Sequence, residues 1–384
     1  MAHLTKPTVY DIKDSNIALL GSDLEKHVRE AAGDKEKAWE GAGTALGIKA
    51  WRIEKFTVVE WPKEKLGSFY DGDSYIVLNT YKKTPDAESF SYDLHFWLGE
   101  NTSQDEAGTA AYKTVELDDH LHGVPIQYRE VQGSESERFL SHFPHFVCLH
   151  GGVATGFHHV TEPPALDLHK LYRIKTSKHG SKTSLVVREV PAVAASIVEG
   201  DVYILDKGTH VWQYNTKTSV GKEKFQAAEF AQTLVEPRKG QCDIEVFDEG
   251  VSGGGMFLAA FGEGTQVSPA RAHATSSTPP TLFRLSDASG QVTFESVQPV
   301  SHSSLNSADA FLLDNSFDHA HPAIYVWLGS AASLTEQRLA PQYAQRYLHE
   351  KHGSGDGRVH GVATSIVKMR EGHESEGFLR ALGA

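Results

Sequence analysis

Three aspartates in the chain share one local pattern, in which a small residue precedes the aspartate and an apolar run follows it. They are Asp73, Asp201 and Asp309. A glutamate follows 33, 22 or 27 residues later, where helical periodicity begins; these are Glu106, Glu223 and Glu336. Carboxylates and backbone carbonyls are the oxygen ligands that Ca²⁺ takes, six to eight of them at about 2.3–2.6 Å. The pattern predicts three related, discontinuous sites for a hard cation.

The same carboxylates have a simpler interpretation. An aspartate can cap a turn, and a glutamate in the first turn of a helix interacts favourably with the helix dipole. For a single copy we would favour this interpretation. Three copies in the same context favour the metal site.

The spacing of the copies predicts three domains. The aspartates lie 128 and 108 residues apart, which is domain size and far longer than a solenoid repeat. Each copy predicts clustered strands, a long helix, a further strand and a short helix. This order is typical of an α+β fold with a mixed central β-sheet flanked by a long and a short helix. The predicted segments are an extension over 1–48, domains over 49–160, 171–262 and 281–384, and linkers over 161–170 and 263–280. The extension either lies against the first domain or forms a partly ordered tail.

Composition and charge restrict the class of function. The chain has 384 residues and a net charge of −13, which argues against non-specific nucleic-acid binding. No apolar run approaches the length of about 18 residues that suggests a transmembrane helix. Cys148 and Cys242 fall in different predicted domains, and the N-terminus lacks the apolar core of a signal peptide. We therefore expect a cytoplasmic protein without structural disulfides.

The long helix predicted over 102–121 has two apolar sides. One stripe is expected to face the sheet of its own domain; it consists of Ala107, Ala110, Thr114, Leu117 and Leu121. Tyr112, Val115 and Asp119 lie roughly opposite and predict a surface for a partner. The alternative is that the N-terminal extension covers this side.

Six basic residues cluster at the start of the second domain, although the chain is acidic overall. They are Lys170, Arg173, Lys175, Lys178, Lys182 and Arg188. Two interpretations remain open: a solvated edge strand protected by lysines, or a docking surface for an acidic partner.

Several segments, in order along the chain, resemble the gelsolin/villin family. They are Trp-Arg-Ile-Glu-Lys-Phe at 51–56, Gly-Asp at 72–73, Tyr-Asp-Leu-His-Phe-Trp-Leu-Gly at 92–99, Ser-Gln-Asp-Glu at 103–106, Leu-Asp-Asp at 117–119, Arg-Glu-Val-Gln-Gly at 129–133 and Gly-Gly-Val-Ala-Thr-Gly-Phe at 151–157. The match runs over residues 49–384, and three domains resemble the short members severin and fragmin. The resemblance implies Ca²⁺-regulated severing of actin filaments and capping of their barbed ends, with nucleation as a further activity.

The resemblance also implies a ligand set for each domain. The first domain would use Asp73, Glu106 and the carbonyls of Gly72 and Val153. A second site there, completed by a carboxylate of actin, would use Asp118 and the carbonyls of Gly123 and Pro125. The second domain would use Gly200, Asp201 and Glu223, and the third Ala308, Asp309 and Glu336.

The chain departs from the family pattern in three places. Relatives take a further aspartate from the second linker, where this chain has Glu263 and no aspartate, so the second-domain site is expected to be weak or incomplete. Val202 and Tyr214 stand where some relatives have a disulfide. The family's phosphoinositide-binding segment corresponds to residues 142–150, which contain no Lys or Arg. Phosphoinositide binding would then fall to the basic strand of the second domain.

These features lead to one mechanism and two rivals. Without Ca²⁺ the three domains are expected to pack together and hide the Tyr112 and Val115 side of the helix. Ca²⁺ would favour an open state that presents this helix to a cleft between actin subunits. One rival is a Ca²⁺-independent actin-binding or bundling protein of the same fold. The other, a metalloenzyme, is disfavoured because the chain has no His-Glu-x-x-His motif; no catalytic residue is predicted, and we expect a monomer.

Overall fold

The computed structural model describes residues 36–153, 169–251, 253–270, 279–318, 322–352 and 364–383. Residues 1–35 of the predicted extension and 161–168 of the first linker lie outside this part of the chain. The described residues have the predicted α+β order in all three domains. The long helix of the first domain begins and ends within two residues of the predicted bounds, 102–121.

The first domain contributes seven strands and two helices, and its long helix joins two parallel strands. Its elements are β1 (Gly47–Glu54), β2 (Thr57–Glu60), β3 (Ser68–Tyr70), β4 (Ser74–Tyr81), β5 (Ser91–Leu98), α1 (Gln104–His120), β6 (Ile126–Val131), α2 (Glu137–Leu140) and β7 (His145–Leu149). Strands β5 and β6 are parallel, which requires a crossover connection of the kind that α1 provides.

The second and third domains repeat this order. The second consists of β8 (Lys170–His179), β9 (Lys182–Val190), β10 (Val202–Asp206), β11 (His210–Asn215), α3 (Gly221–Val235), β12 (Asp243–Asp248) and α4 (Gly254–Ala259). The third consists of β13 (Thr281–Ser286), β14 (Thr293–Val297), β15 (Ala310–Asn315), β16 (Ala323–Leu328), α5 (Leu334–His352), β17 (Ser365–Arg370) and α6 (Glu376–Ala381). In each, the long helix again joins two parallel strands.

The strands form two sheets, and both continue from one domain into another. Among the described residues, ten strands follow the order β14-β13-β15-β16-β17-β6-β5-β4-β1-β2, and seven follow the order β12-β11-β10-β8-β9-β7-β3. The first sheet joins the third domain to the first through antiparallel pairing of β17 with β6, over residues 366–368 and 127–129. The second sheet takes β3 and β7 from the first domain, where β7 lies parallel to β9. Inter-domain packing is therefore made by backbone pairing as well as by side chains.

Local signals explain where α1 begins and ends. Oγ of Ser103 accepts a hydrogen bond from the backbone N–H of Glu106 at 3.2 Å, which caps the helix. At the other end Gly123 has a φ of +70°, a left-handed conformation that glycine adopts without steric cost. The repeated Trp-Leu-Gly also has a packing reason, because a Cβ on Gly99 or Gly329 would lie 2.1 or 2.2 Å from a backbone oxygen.

The apolar stripe of α1 packs against its sheet as predicted, and the end of the N-terminal extension joins the same core. Ala110 and Leu117 cluster with Ile53, Leu78 and Trp39. Trp39 is 1% exposed, stacks edge-on to Trp51 with ring centroids 5.1 Å apart, and donates its indole N–H to Glu116 at 2.9 Å. Residues 36–46 are thus part of the first domain.

Candidate metal centres and partner surface

The carboxylate of Asp73 lies at the head of β4 and is fully buried. Its Oδ1 accepts the backbone N–H of Val153 at 2.8 Å, and its Oδ2 accepts the Tyr75 hydroxyl at 3.1 Å. The guanidinium of Arg52 lies 3.5 Å from the same Oδ2. A Cβ on Gly152 would lie 2.5 Å from Oδ1, so only glycine permits this close approach of the chain. The structure thus brings Asp73 and Val153 together from positions 80 residues apart.

Glu106 lies in the first turn of α1, near Asp73. Its Oε2 accepts hydrogen bonds from the hydroxyls of Ser103 at 3.2 Å and Thr102 at 3.4 Å. Burial raises the pKa of Asp73, and the negative charge of Glu106 raises it further, against the opposing effects of the Val153 N–H and Arg52. A carboxylate whose ionisation is disfavoured by burial and by a neighbouring carboxylate is one that a divalent cation would stabilise.

In the second domain, side chains and a backbone N–H group of the protein already contact both carboxylates of the predicted site. Asp201 pairs with the guanidinium of Arg173 and, at 3.1 Å, with the ammonium of Lys175. Glu223, in the first turn of α3, accepts the backbone N–H of Thr176 at 2.9 Å and the Thr176 hydroxyl at 3.0 Å. The N–H of Gly200 donates to Oγ1 of Thr216 at 3.0 Å. Both carboxylates therefore contact residues of β8.

The third-domain pair is arranged in the same way. Asp309 accepts a hydrogen bond from Nε of Arg284 at 2.8 Å. Glu336 accepts the backbone N–H groups of Asp287 and Ser333 at 2.8 and 2.9 Å. Burial raises the pKa of Glu336, and the charges of Asp287 and Asp309 raise it further. Ala308, whose carbonyl was predicted as a ligand, directly precedes Asp309 and donates its N–H to Asn306.

The predicted second site of the first domain contains residues of the third domain. Asp118 is 2% exposed, and its Oδ2 lies 3.5 Å from the ammonium of Lys368 on β17. Its Oδ1 has no hydrogen-bond partner of normal geometry among the described residues. Gly123 faces Arg370, whose Nε would lie 2.8 Å from a Cβ at that position, and Pro125 is buried beside it. Burial raises the pKa of Asp118, while Lys368 and Arg370 oppose that rise.

The donor sets fit Ca²⁺ on chemical grounds. All four sites offer carboxylate oxygens, which are the hard donors that Ca²⁺ prefers. At the first site the backbone group that contacts Asp73 is the N–H of Val153 and not its predicted carbonyl. Oδ1 of Asp118, which has no hydrogen-bond partner of normal geometry among the described residues, is an oxygen that a cation could take as a ligand. Residues such as Asp73 with Glu106, or Asp309 with Glu336, would bind the ion through these oxygens.

The outer side of α1 does not have the predicted degree of burial. Tyr112 is 50% exposed, while Val115 and Asp119 are partly buried. The expectation that domain packing hides this side is wrong for Tyr112 among the described residues. The reason is that the third domain contacts α1 at its C-terminal end, through Lys368 and Asp118, and residues 36–46 contact it through Glu116 and Lys113.

Most of the predicted basic surface forms ion pairs within the protein. Arg188 pairs with Glu135 of the first domain, and Lys170 lies 3.3 Å from Glu189. Arg173 and Lys175 pair with Asp201, as described above. Lys178 and Lys182 are exposed near the turn that joins β8 to β9. A docking surface for an acidic partner is thus reduced to this turn unless the pairs open.

Sequence reasoning missed the cationic partners of the aspartates and also Asp287. The signal was present, because an aromatic residue, an arginine and an aliphatic residue occur in each copy. These are Trp-Arg-Ile at 51–53, Tyr-Arg-Ile at 172–174 and Phe-Arg-Leu at 283–285. Of these three arginines, only Arg173 entered the predictions, and, like Lys175, as a docking residue. Asp287 gave no such signal, because it follows a strand and resembles any turn aspartate.

A buried polar network lies between β5 and α2. Asp93, His95 and His142 bring one ligand atom each within 4.8 Å of the others. Each group already has a partner: Asp93 pairs with Arg138 at 2.7 Å, and Nδ1 of His95 lies 2.9 Å from Glu130. The two histidine Nε2 atoms are 3.0 Å apart, so one of them is the donor to the other. These partners identify a structural hydrogen-bond network.

Comparison with known proteins decides the family. The model of the gelsolin repeat matches residues 55–140 and 294–379. Gelsolin-like protein 2 of Lumbricus terrestris is 38% identical over 387 aligned positions, which cover all of both chains. The chain belongs to the gelsolin family. Severin of Echinococcus granulosus is 34% identical and matches 91% of this chain and 92% of its own. The actin depolymerising venom protein gelsolin 1 of Platymeris rhadamanthus is 35% identical, with coverage of 88% and 89%.

Membership of the gelsolin family agrees with the severin-like size of the chain. The two stretches that match the gelsolin repeat fall in the first and third domains, which share the ten-stranded sheet. Among the described residues of this gelsolin-family chain, every helix is too short or too polar to cross a membrane.

Proposed function

We propose that this chain severs actin filaments and caps their barbed ends under the control of Ca²⁺. Relatives named severin, gelsolin and actin depolymerising venom protein cover most of the chain at 34–38% identity, which supports the actin partner. A cytoplasmic, monomeric protein associated with the actin cytoskeleton agrees with this proposal. No covalent step is needed, because binding free energy can separate filament subunits.

One observation carries the regulatory part of the proposal. Asp118, the residue predicted to share an ion with actin, pairs with Lys368 of the third domain. The same strand that carries Lys368 pairs with β6 over three residues. The third domain therefore places a positive charge where the open form would place a cation, and so competes with the actin-bound arrangement.

Opening follows from the charges of the chain. When bound, Ca²⁺ supplies the positive charge that the carboxylates of each domain otherwise take from basic side chains. The charge of Asp118 is then balanced without Lys368, and one contact that stabilises the closed form is lost. Tyr112 is exposed and is then the first residue of α1 available to actin. Val115 and Asp119 lie on the same side of the helix. The effect is a population shift toward the open form.

A severing assay on pyrene-labelled filaments, run across a Ca²⁺ titration, tests the proposal. We expect rapid depolymerisation above a threshold and little in chelator. Equal rates in both conditions would identify the rival, a Ca²⁺-independent actin-binding protein of the same fold. Low-speed sedimentation separates bundling from severing, because bundles sediment and short filaments do not. Binding to vesicles that contain phosphoinositides is a separate measurement, for which Lys178 and Lys182 are the exposed candidates.

A further inference from the structure

We propose that Arg52, Arg173 and Arg284 are internal counter-ions that stabilise the three carboxylate sites without metal and thereby set the Ca²⁺ concentration at which each site fills. The inference rests on the proposed Ca²⁺ regulation and adds its control element to it. It assigns a function to one arginine in each domain, although ligation of Ca²⁺ by oxygen atoms does not itself require an arginine.

The three arginines occupy the same position in their domains. Each lies on the first strand of its domain, directly opposite the residue that comes two places after the aspartate. The cross-strand partners are Arg52 with Tyr75, Arg173 with Tyr203 and Arg284 with Phe311. An arginine at one such position is unremarkable on a strand. Its recurrence in three domains, each time beside the aspartate, indicates a shared task.

Each guanidinium contacts the aspartate of its own domain. Nη1 of Arg52 lies 3.5 Å from Asp73, Nε of Arg284 lies 2.8 Å from Asp309, and Arg173 forms a short hydrogen bond to Asp201. The aspartate side chains are 0–6% exposed, whereas the arginine side chains are 20–44% exposed. A buried carboxylate requires a partner, and a partly exposed arginine can turn to solvent when another cation takes its place.

In two of the domains the same stretch of chain also contacts the second carboxylate. The residue three places after the arginine donates its backbone N–H to the glutamate: Thr176 to Glu223 at 2.9 Å, and Asp287 to Glu336 at 2.8 Å. One short stretch of chain thus contacts both carboxylates of the site. Filling the site with a cation requires these carboxylates to exchange protein donors for the ion.

Electrostatics gives the direction of the effect. A guanidinium beside the site repels an incoming cation, and its contact with the aspartate must be lost or weakened before the oxygen can bind the ion. The second domain has two cations on Asp201, Arg173 and Lys175, so it should need the highest Ca²⁺ concentration. Arg52 is 3.5 Å from Asp73 and is shared with Glu54, so the first domain should need the lowest.

Arg284 offers the cleanest test, because its side chain is the most exposed of the three. We would measure Ca²⁺ binding to the full chain by isothermal titration calorimetry, using Asp309→Asn to identify the third-domain site. Arg284→Gln should bind Ca²⁺ about tenfold more tightly at that site, equivalent to about 1.4 kcal/mol. Arg284→Lys keeps the charge and should retain an affinity close to that of the wild type. Arg346→Gln, which removes an exposed helical pair with Glu350, is the matched control.

Thermal unfolding provides a second readout. In chelator, Arg284→Gln should melt below the wild type, since Asp309 is then buried without its cation. In saturating Ca²⁺ the difference should vanish. Arg52→Gln, measured by the same titration and thermal unfolding, should show a smaller gain in Ca²⁺ affinity at the first-domain site. This variant provides the test if Arg284→Gln folds poorly.

The outcomes separate the inference from the function on which it rests. If Asp309→Asn removes a site but Arg284→Gln leaves its affinity unchanged, the arginines are structural ion pairs and the inference is overturned, while Ca²⁺ regulation stands. Equal losses of melting temperature in chelator and in Ca²⁺ lead to the same conclusion. If the wild-type chain binds no Ca²⁺, both the inference and the regulatory proposal are overturned.

Discussion

The ammonium of Lys368 lies 3.5 Å from Oδ2 of Asp118, although 250 residues separate the two in the chain. The contact joins the strand of the third domain that pairs with β6 to the last turn of α1. It is the point at which the inter-domain sheet and the predicted actin-binding helix meet. A substitution of Lys368 should therefore shift the equilibrium between the closed and open forms without altering a residue predicted to contact actin.

Lys368→Met should lower the Ca²⁺ concentration needed for opening. Removing one partner of a buried ion pair costs about 3–5 kcal/mol, and the 17% exposure of Lys368 reduces this to about 1–3 kcal/mol. The midpoint of opening should fall by roughly tenfold. Small-angle X-ray scattering across a Ca²⁺ titration measures this midpoint. Lys178→Met, at an exposed lysine of β8, serves as the control, and an unshifted midpoint for Lys368→Met would count against the proposed latch.

Tyr112→Asp should abolish barbed-end capping and leave the fold intact. The ring is 50% exposed, so its removal costs little stability, whereas a carboxylate in an apolar cleft of a partner is strongly unfavourable. We expect at least a tenfold loss in capping affinity in a pyrene-actin elongation assay. Val193→Asp alters an equally exposed apolar residue of the second domain and should leave capping unchanged. Normal capping by a folded Tyr112→Asp protein, checked by circular dichroism, would exclude this side of α1 as the contact.

Trp39→Ala should destabilise the first domain by about 3–5 kcal/mol, the usual cost of truncating a buried tryptophan. The substitution leaves a cavity beside Trp51 and removes the donor to Glu116. Urea unfolding measured by fluorescence gives the change in free energy. Leu46→Ala, at a residue 60% exposed in the same segment, should change it by less than about 0.5 kcal/mol. Similar values for the two variants would show that residues 36–46 add nothing to the core.

The first domain should lose stability as the pH falls below about 6.5. Burial lowers the pKa of His142 well below its usual value, and the charges of His95, Arg138 and Lys182 lower it further. The unfolded chain then binds a proton that the folded chain does not, so stability is present above the unfolded pKa and declines below it. The slope for one such group is at most about 1.4 kcal/mol per pH unit.

Melting temperatures measured between pH 7.5 and 5 test this linkage. His142→Phe removes the titrating group and should flatten the pH dependence, even if it changes the absolute stability. His145→Gln, at an exposed histidine three residues away, should follow the wild type. If the wild type and His142→Phe decline in parallel, another group accounts for the pH dependence.

Local patterns predicted what depends on neighbouring residues. The stripe of α1, the Ser103 cap and the strands headed by the three aspartates lie where periodicity placed them, because each of these features is decided within one or two turns or one strand. The triplicated aromatic-arginine-aliphatic pattern was equally local, yet it was not interpreted, since nothing in the sequence says that a strand arginine points at a carboxylate on the next strand.

Contacts between distant strands could not be predicted. Lys368 is one of 37 basic residues, and its pairing with Asp118 depends on which edge of β17 meets which edge of β6. The addition of β3 and β7 to the sheet of the second domain has the same origin. The half-exposed position of Tyr112 follows from where these sheets join, so the expectation that it was hidden failed for the same reason.

Opening has a further consequence, which arises from the backbone and not from the charges. When β17 leaves β6, two strand edges with unpaired N–H and C=O groups reach solvent at the same time, and each is complementary to the other. Two opened molecules could then pair through these edges and exchange third domains. High protein concentration in the absence of actin would favour such domain-swapped dimers. Only three residues of each strand take part in the pairing. Because the pairing is so short, it can break readily within one molecule. The same pairing between two molecules would also contribute little binding free energy.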